Sequence, residues 1–533
     1  MSDYNKGLFS DWVPKPVQLL LIVIFTLMIL AINTVYTGNI SMMTGSLGTM
    51  TEYMLVANYA ATIGMSASMP LILRVKMRFR VKEILTVSYI VMALMSWVTA
   101  TTDSPQIVIA ASFVFGFVKT FAMMEFMLPL MFLIGNGNRG IFYSVFYPFA
   151  IAVGNLSGYV ATKIAVQSSW QYANIYTVAA ILVMLALTAI FVHNKRFSRK
   201  MPLSQIDWLS IMLFTLTFLS LSYFFSFGKI YNWFQTKEIR WSFVAMLVSF
   251  ILLTLRQIFL KRPYLSYVIF TKNNVQNGMF LLLGIGMFLG STLIQNIYTT
   301  GVLGYDVLTN ASLNLMQIPG NVLAGFVAAR WFKNGQNPKM MIFLGFAAFT
   351  MYTVILYFMM VPELNYERWW LPMILRGFAI SALYITVWYY TLNKLEVEQM
   401  MQAIGLVLTF RSVVSVTIFS SFFLWLQYDF QWQSVNDLAV YFDGNLLSVQ
   451  NALGNLKNFQ INAVLSANKK VFGLISIAGF GIMIFVLQHH FDQIRYITLR
   501  WTRRRVYHAL DYNNLSIDRH RNRLRRQKDR DQQ

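Results

Sequence analysis

The sequence predicts an all-α protein that crosses a membrane many times, with about fourteen transmembrane helices. Of its 533 residues, 57% are hydrophobic and only 12% are charged, and the mean hydropathy is +0.53. A soluble chain of this length could not bury so much apolar surface in its own core. Apolar runs of roughly 20 residues, the length that crosses a bilayer, recur along the chain between short polar stretches.

Each predicted span is an apolar run bounded by polar or charged residues. An N-terminal six-helix bundle occupies residues 1–192, with spans at 17–40, 54–73, 84–101, 107–133, 141–164 and 172–192. Two extra linker helices follow within 193–262, at 208–227 and 241–260. A C-terminal six-helix bundle occupies 263–488, with spans at 277–300, 310–331, 339–360, 369–392, 402–427 and 470–488. We expect a partly helical periplasmic segment over 428–470 and a basic cytoplasmic tail over 489–533.

Positively charged residues are concentrated in every second loop between the predicted spans. The formal net charge is +22, but lysine and arginine collect in alternate loops such as 74–82 and 195–200, and in the tail. The opposite loops at 41–51, 102–106 and 301–309 carry neither residue. This is the pattern of the positive-inside rule, so we expect a bacterial inner-membrane protein with both termini in the cytoplasm and no nucleic-acid partner. The basic tail is expected to be solvated or to bind the headgroups of membrane lipids.

The residue types within the spans argue against an enzyme. The chain has no cysteine, and its five histidines, at 193, 489, 490, 508 and 520, all flank or follow spans. We therefore expect no metal site and no cofactor. No Walker sequence is present, so ATP is not expected to be the direct energy source. A secondary transporter is the function class that remains.

Five local patterns match signature positions of one transporter family. In chain order they are Gly154-Asn155-Leu156-Ser157-Gly158, Trp170-Gln171-Tyr172, Ile206-Asp207-Trp208, Val302-Leu303-Gly304-Tyr305 continuing to Pro319-Gly320, and Ala403-Ile404-Gly405 with Arg411. With these residues the sequence resembles the fourteen-helix drug:proton antiporter branch, the EmrB/QacA type, of the major facilitator superfamily. The resemblance implies two six-helix halves separated by two extra helices. It also assigns motif roles to five residues: Gly154, Gly158, Gly304, Tyr305 and Pro319.

Two departures from that family concern proton coupling. The family places an aspartate in its first helix and an arginine in its fourth, where this chain has Asn33 and Ser112. The loop over 73–83 also lacks the family's G-x-x-x-D-R-x-G pattern. The coupling residues therefore cannot be carried over by position.

Charged residues within spans are costly and usually face a cavity or a partner. Lys119 lies seven residues, or about 700° of helix, beyond Ser112 and therefore shares its face. We expect Lys119 to line a central cavity, where it meets an anionic substrate or a carboxylate counter-ion; a permanent ion pair between helices is the alternative. Arg411 is a second cavity candidate, whereas Arg376 is expected to snorkel from the outer start of its span.

Glu125 is the best candidate for a proton-coupling carboxylate. It is six residues beyond Lys119, about 120° around the helix, and we place it nearer the outer leaflet and not as the partner of Lys119. The alternative is a helix-end residue that is exposed to water or paired with a lysine. Glu52, near the outer start of the second span, is the second candidate.

The remaining cavity candidates are polar and apolar residues that suit an amphipathic guest. Asn58, Asn155, Gln295 and Asn296 offer hydrogen bonds to such a compound, or they bridge helices. Asn33 and Ser112 are further candidates for the cavity wall. The 31 methionines and 44 phenylalanines offer an adaptable cavity surface, although both residue types also face lipid.

The expected function is export of an amphipathic drug-like or lipid-like compound in exchange for protons, by alternating access around a site near mid-membrane. By resemblance, a periplasmic adaptor and an outer-membrane channel are expected partners. A dedicated transporter of an anionic metabolite is the first alternative. A membrane scaffold or sensor that transports nothing is the second.

Overall fold

The computed structural model describes residues 8–32, 35–135, 138–195, 206–260, 263–335, 337–393, 395–439 and 449–489. Within these ranges every regular element is a helix, which confirms the predicted all-α class. An isolated antiparallel bridge between Phe9 and Val192 joins the N-terminal segment to the end of a later helix. Helices satisfy their own backbone hydrogen bonds, which is the requirement for crossing a bilayer.

Eight helices form the first group. They are α1 (Lys15–Ala31), α2 (Val35–Leu47), α3 (Thr51–Ser68), α4 (Ile72–Arg78), α5 (Val81–Thr101), α6 (Pro105–Gly135), α7 (Arg139–Gln167) and α8 (Trp170–Phe191). A short 3₁₀ turn over Met69–Leu71 connects α3 to α4. Within the group, α3 packs on α6, and α5 packs on both α6 and α8.

Two linker helices follow, α9 (Trp208–Gly228) and α10 (Lys237–Phe259), with a 3₁₀ turn at Trp233–Gln235 between them. Asp207 caps α9 by accepting a hydrogen bond from the backbone N–H of Ser210 at 3.2 Å, and Arg256 of α10 donates to it at 2.8 Å. Burial opposes the charge of Asp207, but the hydrogen bonds from Arg256 and Ser210 outweigh it and hold the pKa of Asp207 below its ordinary value. This ion pair ties the two linker helices together at one end.

The last group contains ten helices. They are α11 (Tyr267–Phe270), α12 (Asn273–Gly290), α13 (Thr292–Asn296), α14 (Val307–Ser312), α15 (Ile318–Lys333), α16 (Pro338–Met359), α17 (Trp370–Leu392), α18 (Val397–Thr409), α19 (Ser415–Ala439) and α20 (Val449–Gln488). Short 3₁₀ turns lie at Leu315–Gln317 and Tyr366–Trp369, and π-helical turns at Ile297–Val302 and Phe410–Val414. Within the group, α16 packs on α17 and α20, and α12 packs on α19.

Among the described residues, twelve helices are long and apolar enough to cross a membrane. The predicted spans at 17–40 and 310–331 correspond instead to the shorter helices α1, of 17 residues, and α15, of 16 residues. The chain is therefore a multi-pass membrane protein, and the predicted number of about fourteen is approximate.

Four predicted boundaries differ from the structure. The apolar run at 17–40 is divided into α1 and α2, and α2 extends into the predicted loop at 41–51. The predicted loop at 73–83 is largely the helix α4. The run at 310–331 is broken by a 3₁₀ turn before Ile318, where Pro319 begins a new helix. The segment at 428–470 is helical throughout its described part, because α19 and α20 extend beyond the apolar runs.

The two large groups contact each other mainly along three pairs of helices, α3 with α18, α7 with α15 and α7 with α17. Glycines allow the backbones to approach in the first two pairs. A Cβ atom on Gly405 of α18 would lie 2.7 Å from the carbonyl oxygen of Ser66 in α3. A Cβ atom on Gly325 of α15 would lie 2.9 Å from the carbonyl oxygen of Ser144 in α7. Such approaches are typical of membrane helix pairs that contain small residues.

The tightest helix crossing is between α3 and α6. A Cβ atom on Gly116 would lie 1.9 Å from the carbonyl oxygen of Ala61, which no side chain tolerates. We expect Gly116→Ala to push the two helices apart and to destabilise the protein by about 1–3 kcal/mol, the usual cost of overpacking. The measurement is the thermal unfolding midpoint of the purified chain in detergent.

Gly481→Ala is the matched control, because Gly481 also lies within a helix and has nothing within 4 Å of an added Cβ atom. This control should leave the midpoint unchanged or raise it slightly, since alanine favours helix over glycine. Equal loss of stability in both variants would contradict the proposed close crossing.

Candidate functional site

A cavity of about 290 Å³ lies between the two large groups of helices. Its wall is formed by α1, α3, α6 and α7 on one side and by α17, α18 and the π-helical turn at Phe410–Val414 on the other. Thr62 and Gly154 line it near the middle of their helices, whereas Met69 and Met400 line it close to the helix ends. Met69 begins the 3₁₀ turn that leads into α4 and the basic segment 74–82. The cavity therefore extends from mid-depth toward the side that the charge pattern predicts to be cytoplasmic.

The cavity wall is apolar and deformable. Among the described residues, eight methionines and six aromatic side chains line it: Met65, Met69, Met123, Met124, Met127, Met131, Met400, Met401, Phe142, Tyr143, Phe146, Tyr147, Tyr384 and Trp388. Unbranched thioethers repack around differently shaped guests, and aromatic rings supply large flat contact areas. This composition suits a guest with a substantial apolar surface.

Two cationic side chains line the same cavity, one from each large group. Lys119 of α6 is 1% exposed. Arg411 lies in the π-helical turn, with its guanidinium carbon 4.4 Å from the ring centroid of Tyr384 and 6.0 Å from that of Trp388. Its Nε donates a hydrogen bond to the hydroxyl of Ser412 at 3.1 Å. The structure therefore brings together two of the residues that the sequence singled out as cavity candidates.

The predicted polar cavity residues lie elsewhere. Five described residues are not part of the cavity wall: Asn58, Ser112, Asn155, Gln295 and Asn296. The hydroxyl of Ser112 donates to the carbonyl oxygen of Val108 at 2.6 Å, so this residue is bonded within its own helix. Asn33 lies outside the described residues. Of the four described amides, Gln295 bridges helices, which was the alternative interpretation of these residues.

Glu125 is buried and paired with a lysine, which was the alternative interpretation of this residue. Its Oε2 lies 3.0 Å from Nζ of Lys76 in α4, and both side chains are 3% exposed. His193 is close enough to Glu125 to contribute to the electrostatic field there. Because Lys76 belongs to the basic segment 74–82, this pairing conflicts with our placement of Glu125 nearer the outer leaflet. Glu52, the second candidate, lies in the first turn of α3.

Arg376 does not snorkel, contrary to our expectation. It is 6% exposed, and its terminal nitrogens donate to Oε1 of Gln295 at 3.1 Å and to the hydroxyl of Thr292 at 2.6 Å. The hydroxyl of Tyr352 also donates to Oε1 of Gln295, at 2.6 Å. Gln295 therefore holds helices α13, α16 and α17 together through its amide oxygen, instead of facing a guest.

The five residues of the family motifs contribute to turns, helix starts, hydrogen bonds and the cavity wall. Gly304 has a φ of +67°, a left-handed conformation that favours glycine. The hydroxyl of Tyr305 donates to the carbonyl oxygen of Leu364 at 3.3 Å, and Pro319 lies in the first turn of α15. Gly154 lines the cavity, and the carbonyl oxygen of Gly158 accepts a hydrogen bond from Thr162 at 2.9 Å.

Sequence reasoning missed two features of this region. Lys76 was counted among the cations of a loop, because its neighbours Arg74 and Arg78 are also basic. The aromatic surface beside Arg411 was also missed, although Tyr384 and Trp388 are four residues apart and therefore lie on one face of a helix. That spacing was a usable signal.

Comparisons with known proteins agree with this architecture. The family model of the Major Facilitator Superfamily matches residues 20–419. A curated relative, the uncharacterized MFS-type transporter YcnB of Bacillus subtilis (strain 168), is 31% identical over 187 residues, which is 34% of this chain. The chain therefore matches only 36% of the length of that relative.

Solved structures share the fold at low sequence identity. The nucleoside transporter NupG has a TM-score of 0.51 at 11% identity, over 89% of this chain and 99% of its own. The tetrameric PepTSo2 has a TM-score of 0.53 at 12% identity, over 87% and 96%. The human organic anion transporter MFSD10 has a TM-score of 0.50 at 9% identity, over 88% and 100%. At these identities the likeness shows the fold alone.

The buried ion pair should dominate the stability of its region. We expect Glu125→Gln to destabilise the protein by about 3–5 kcal/mol, because it removes the carboxylate that faces a buried ammonium group. The double variant Lys76→Met with Glu125→Gln should regain most of that loss, since it removes the buried charge as well. Thermal unfolding of the single and double variants in detergent measures both effects; a double variant no more stable than Glu125→Gln would contradict the assigned pairing.

Proposed function

The chain belongs to the Major Facilitator Superfamily, and on this premise we propose that it is a secondary active transporter that exports amphipathic drug-like or lipid-like compounds in exchange for protons. The observation that carries the proposal is the methionine- and aromatic-lined cavity between the two large groups of helices. A volume of about 290 Å³ is just below the range, roughly 300–1,000 Å³, of pockets that bind drug-sized ligands.

Alternating access requires that the two groups move relative to each other around the cavity. The helix pairs α3 with α18, α7 with α15 and α7 with α17 carry contacts between the groups, and the first and last of these pairs border the cavity. The first two pairs contain close approaches of glycine to backbone, and among the described residues no ion pair joins the two groups. Contacts without ion pairs favour motion of the two groups relative to each other over a fixed interface.

For proton coupling, the pair of Glu125 and Lys76 is the candidate. Of the four ion pairs within the described part of the chain, this one alone has both side chains buried. Protonation of Glu125 would remove the charge that faces Lys76 and so change the energy of the contact between α4 and α6. A buried carboxylate that exchanges a proton in this way links the membrane proton gradient to a helix contact.

Several aspects of this function rest on the resemblance and the charge pattern. These are the fourteen-helix branch, the division into residues 1–192, 193–262 and 263–488, the inner-membrane location with cytoplasmic termini, and a periplasmic adaptor with an outer-membrane channel.

A dedicated transporter of an anionic metabolite is the second candidate function, and the observation that favours it is that Lys119 and Arg411 both line the cavity. A scaffold without transport activity would not require such a cavity.

Flux measurements in everted vesicles test this proposal. We expect uptake of an amphipathic dye to depend on an imposed proton gradient in the native chain. Glu125→Gln, and the double variant with Lys76→Met, should nearly abolish gradient-driven uptake while exchange of dye for dye continues, because only coupling requires the titrating carboxylate. Lys119→Ala should reduce both kinds of flux, since it alters the cavity wall.

Glu363→Gln is the matched control, because Glu363 is an exposed carboxylate in the connection between α16 and α17. It should leave both fluxes unchanged. Full gradient-driven flux in the folded double variant would eliminate Glu125 as the coupling residue. Absence of flux in the native chain with every dye would favour the scaffold.

A further inference from the structure

The charge of the cavity wall has one sign. Among its described residues the wall contains the cations Lys119 and Arg411, and no aspartate or glutamate. Charges in a site of low effective dielectric interact several times more strongly than in water. A cationic guest would therefore be repelled from both sides of this cavity, whereas an anionic guest would be attracted from both.

Arg411 is oriented so that part of its guanidinium can bind a guest. Its guanidinium carbon lies over the ring of Tyr384, 4.4 Å from the centroid, and its Nε is bonded to Ser412. Within the described part of the chain, its two terminal nitrogens have no hydrogen-bond partner, and no carboxylate is paired with it. A guanidinium that is stacked on a ring keeps its plane fixed, and its free edge matches two oxygen atoms of a carboxylate, sulfonate or phosphate group.

Lys119 supplies the second positive charge from the other large group of helices. It lies on α6, whereas Arg411 lies in the turn between α18 and α19. An anionic group between them would contact both groups of helices at once. Its binding energy would then favour the arrangement in which the two groups are close together, which is what substrate-driven closure requires.

We propose that the compounds this cavity binds are compact amphipathic anions, with the anionic group between Lys119 and Arg411 and the apolar part against the methionines. The inference rests on the proposed function, since it treats the cavity as the substrate site. A phospholipid with two acyl chains is much larger than a cavity of about 290 Å³. The guest is therefore a compact molecule that carries a carboxylate, sulfonate or phosphate group.

Two fluorescent probes with the same ring system provide the test. Anilinonaphthalene sulfonate is anionic, and phenylnaphthylamine is its neutral analogue without the sulfonate. Binding of each probe to the full chain is measured in nanodiscs of phosphatidylcholine, with empty nanodiscs subtracted. We expect the sulfonate to bind the native chain at least about tenfold more tightly than the neutral analogue, because its charge is bonded to two cations.

Three variants locate this preference. Arg411→Gln and Lys119→Met should each weaken sulfonate binding by about tenfold or more and should change binding of the neutral analogue much less. Arg368→Gln removes an exposed arginine that does not line the cavity, and it should leave both affinities unchanged. A loss in Arg368→Gln equal to that in Arg411→Gln would overturn the proposal, because it would indicate attraction to the overall positive charge.

The comparison of the two probes on the native chain needs no variant, so it remains decisive if a variant fails to fold. Equal affinities for the sulfonate and its neutral analogue would overturn the inference. Flux separates this outcome from failure of the proposed function. Gradient-driven flux of the neutral probe without flux of the sulfonate would keep the transport proposal and overturn the anion assignment. Charge-dependent binding without flux of either probe would keep the anion assignment and overturn the transport proposal.

Discussion

The cost of placing charge in a membrane interior determines how this chain arranges its buried polar residues. Three cations of the described residues illustrate different arrangements. Lys76 faces a carboxylate, Glu125, at 3.0 Å. Arg376 is held by the neutral acceptors of Gln295 and Thr292. Arg411 is held on aromatic rings instead, and part of its guanidinium is left for the cavity. In the first two arrangements the charged group is bonded to other residues of the protein, whereas the third has room for a guest.

Departures from regular helix occur next to these charges. Arg411 lies within the π-helical turn at Phe410–Val414, and the hydroxyl of Ser415 donates to the carbonyl oxygen of Phe410 at 2.8 Å, which satisfies a backbone acceptor at the break. A Cβ atom on Gly286 of α12 would lie 2.1 Å from the Cβ atom of Ser415, so α12 presses directly against this turn. Single π turns within helices are frequent at functional sites. Here the turn fixes the direction in which Arg411 leaves its helix.

The sequence predicts the spans better than it predicts the contacts among them. Span length and composition follow from bilayer thickness, so most predicted runs match helices of the structure. Lys119 and Arg411 were found because charges within apolar runs are conspicuous. The partner of Glu125 was missed because Lys76 is surrounded by basic residues, and a pattern along one helix does not show which neighbouring helix covers it. The sequence left open for the same reason whether the amides line the cavity or bridge helices, since the partner of Gln295 is Arg376, which is 81 residues away.

The two linker helices bear on the motion that transport requires. On one side, the ring centroid of Phe227 of α9 lies 4.7 Å from that of Tyr53 of α3 in the first group. On the other, the hydroxyl of Ser421 in α19 donates to the carbonyl oxygen of Phe225 at 2.5 Å, and the ammonium group of Lys229 donates to that of Leu424 at 3.2 Å. The linker helices therefore touch both large groups. Relative motion of the groups must slide or break these contacts. The two polar contacts to α19 are each made to a single carbonyl oxygen, so breaking them costs about 0.5–1.5 kcal/mol for the hydroxyl of Ser421 and about 1.5–3 kcal/mol for the charged group of Lys229.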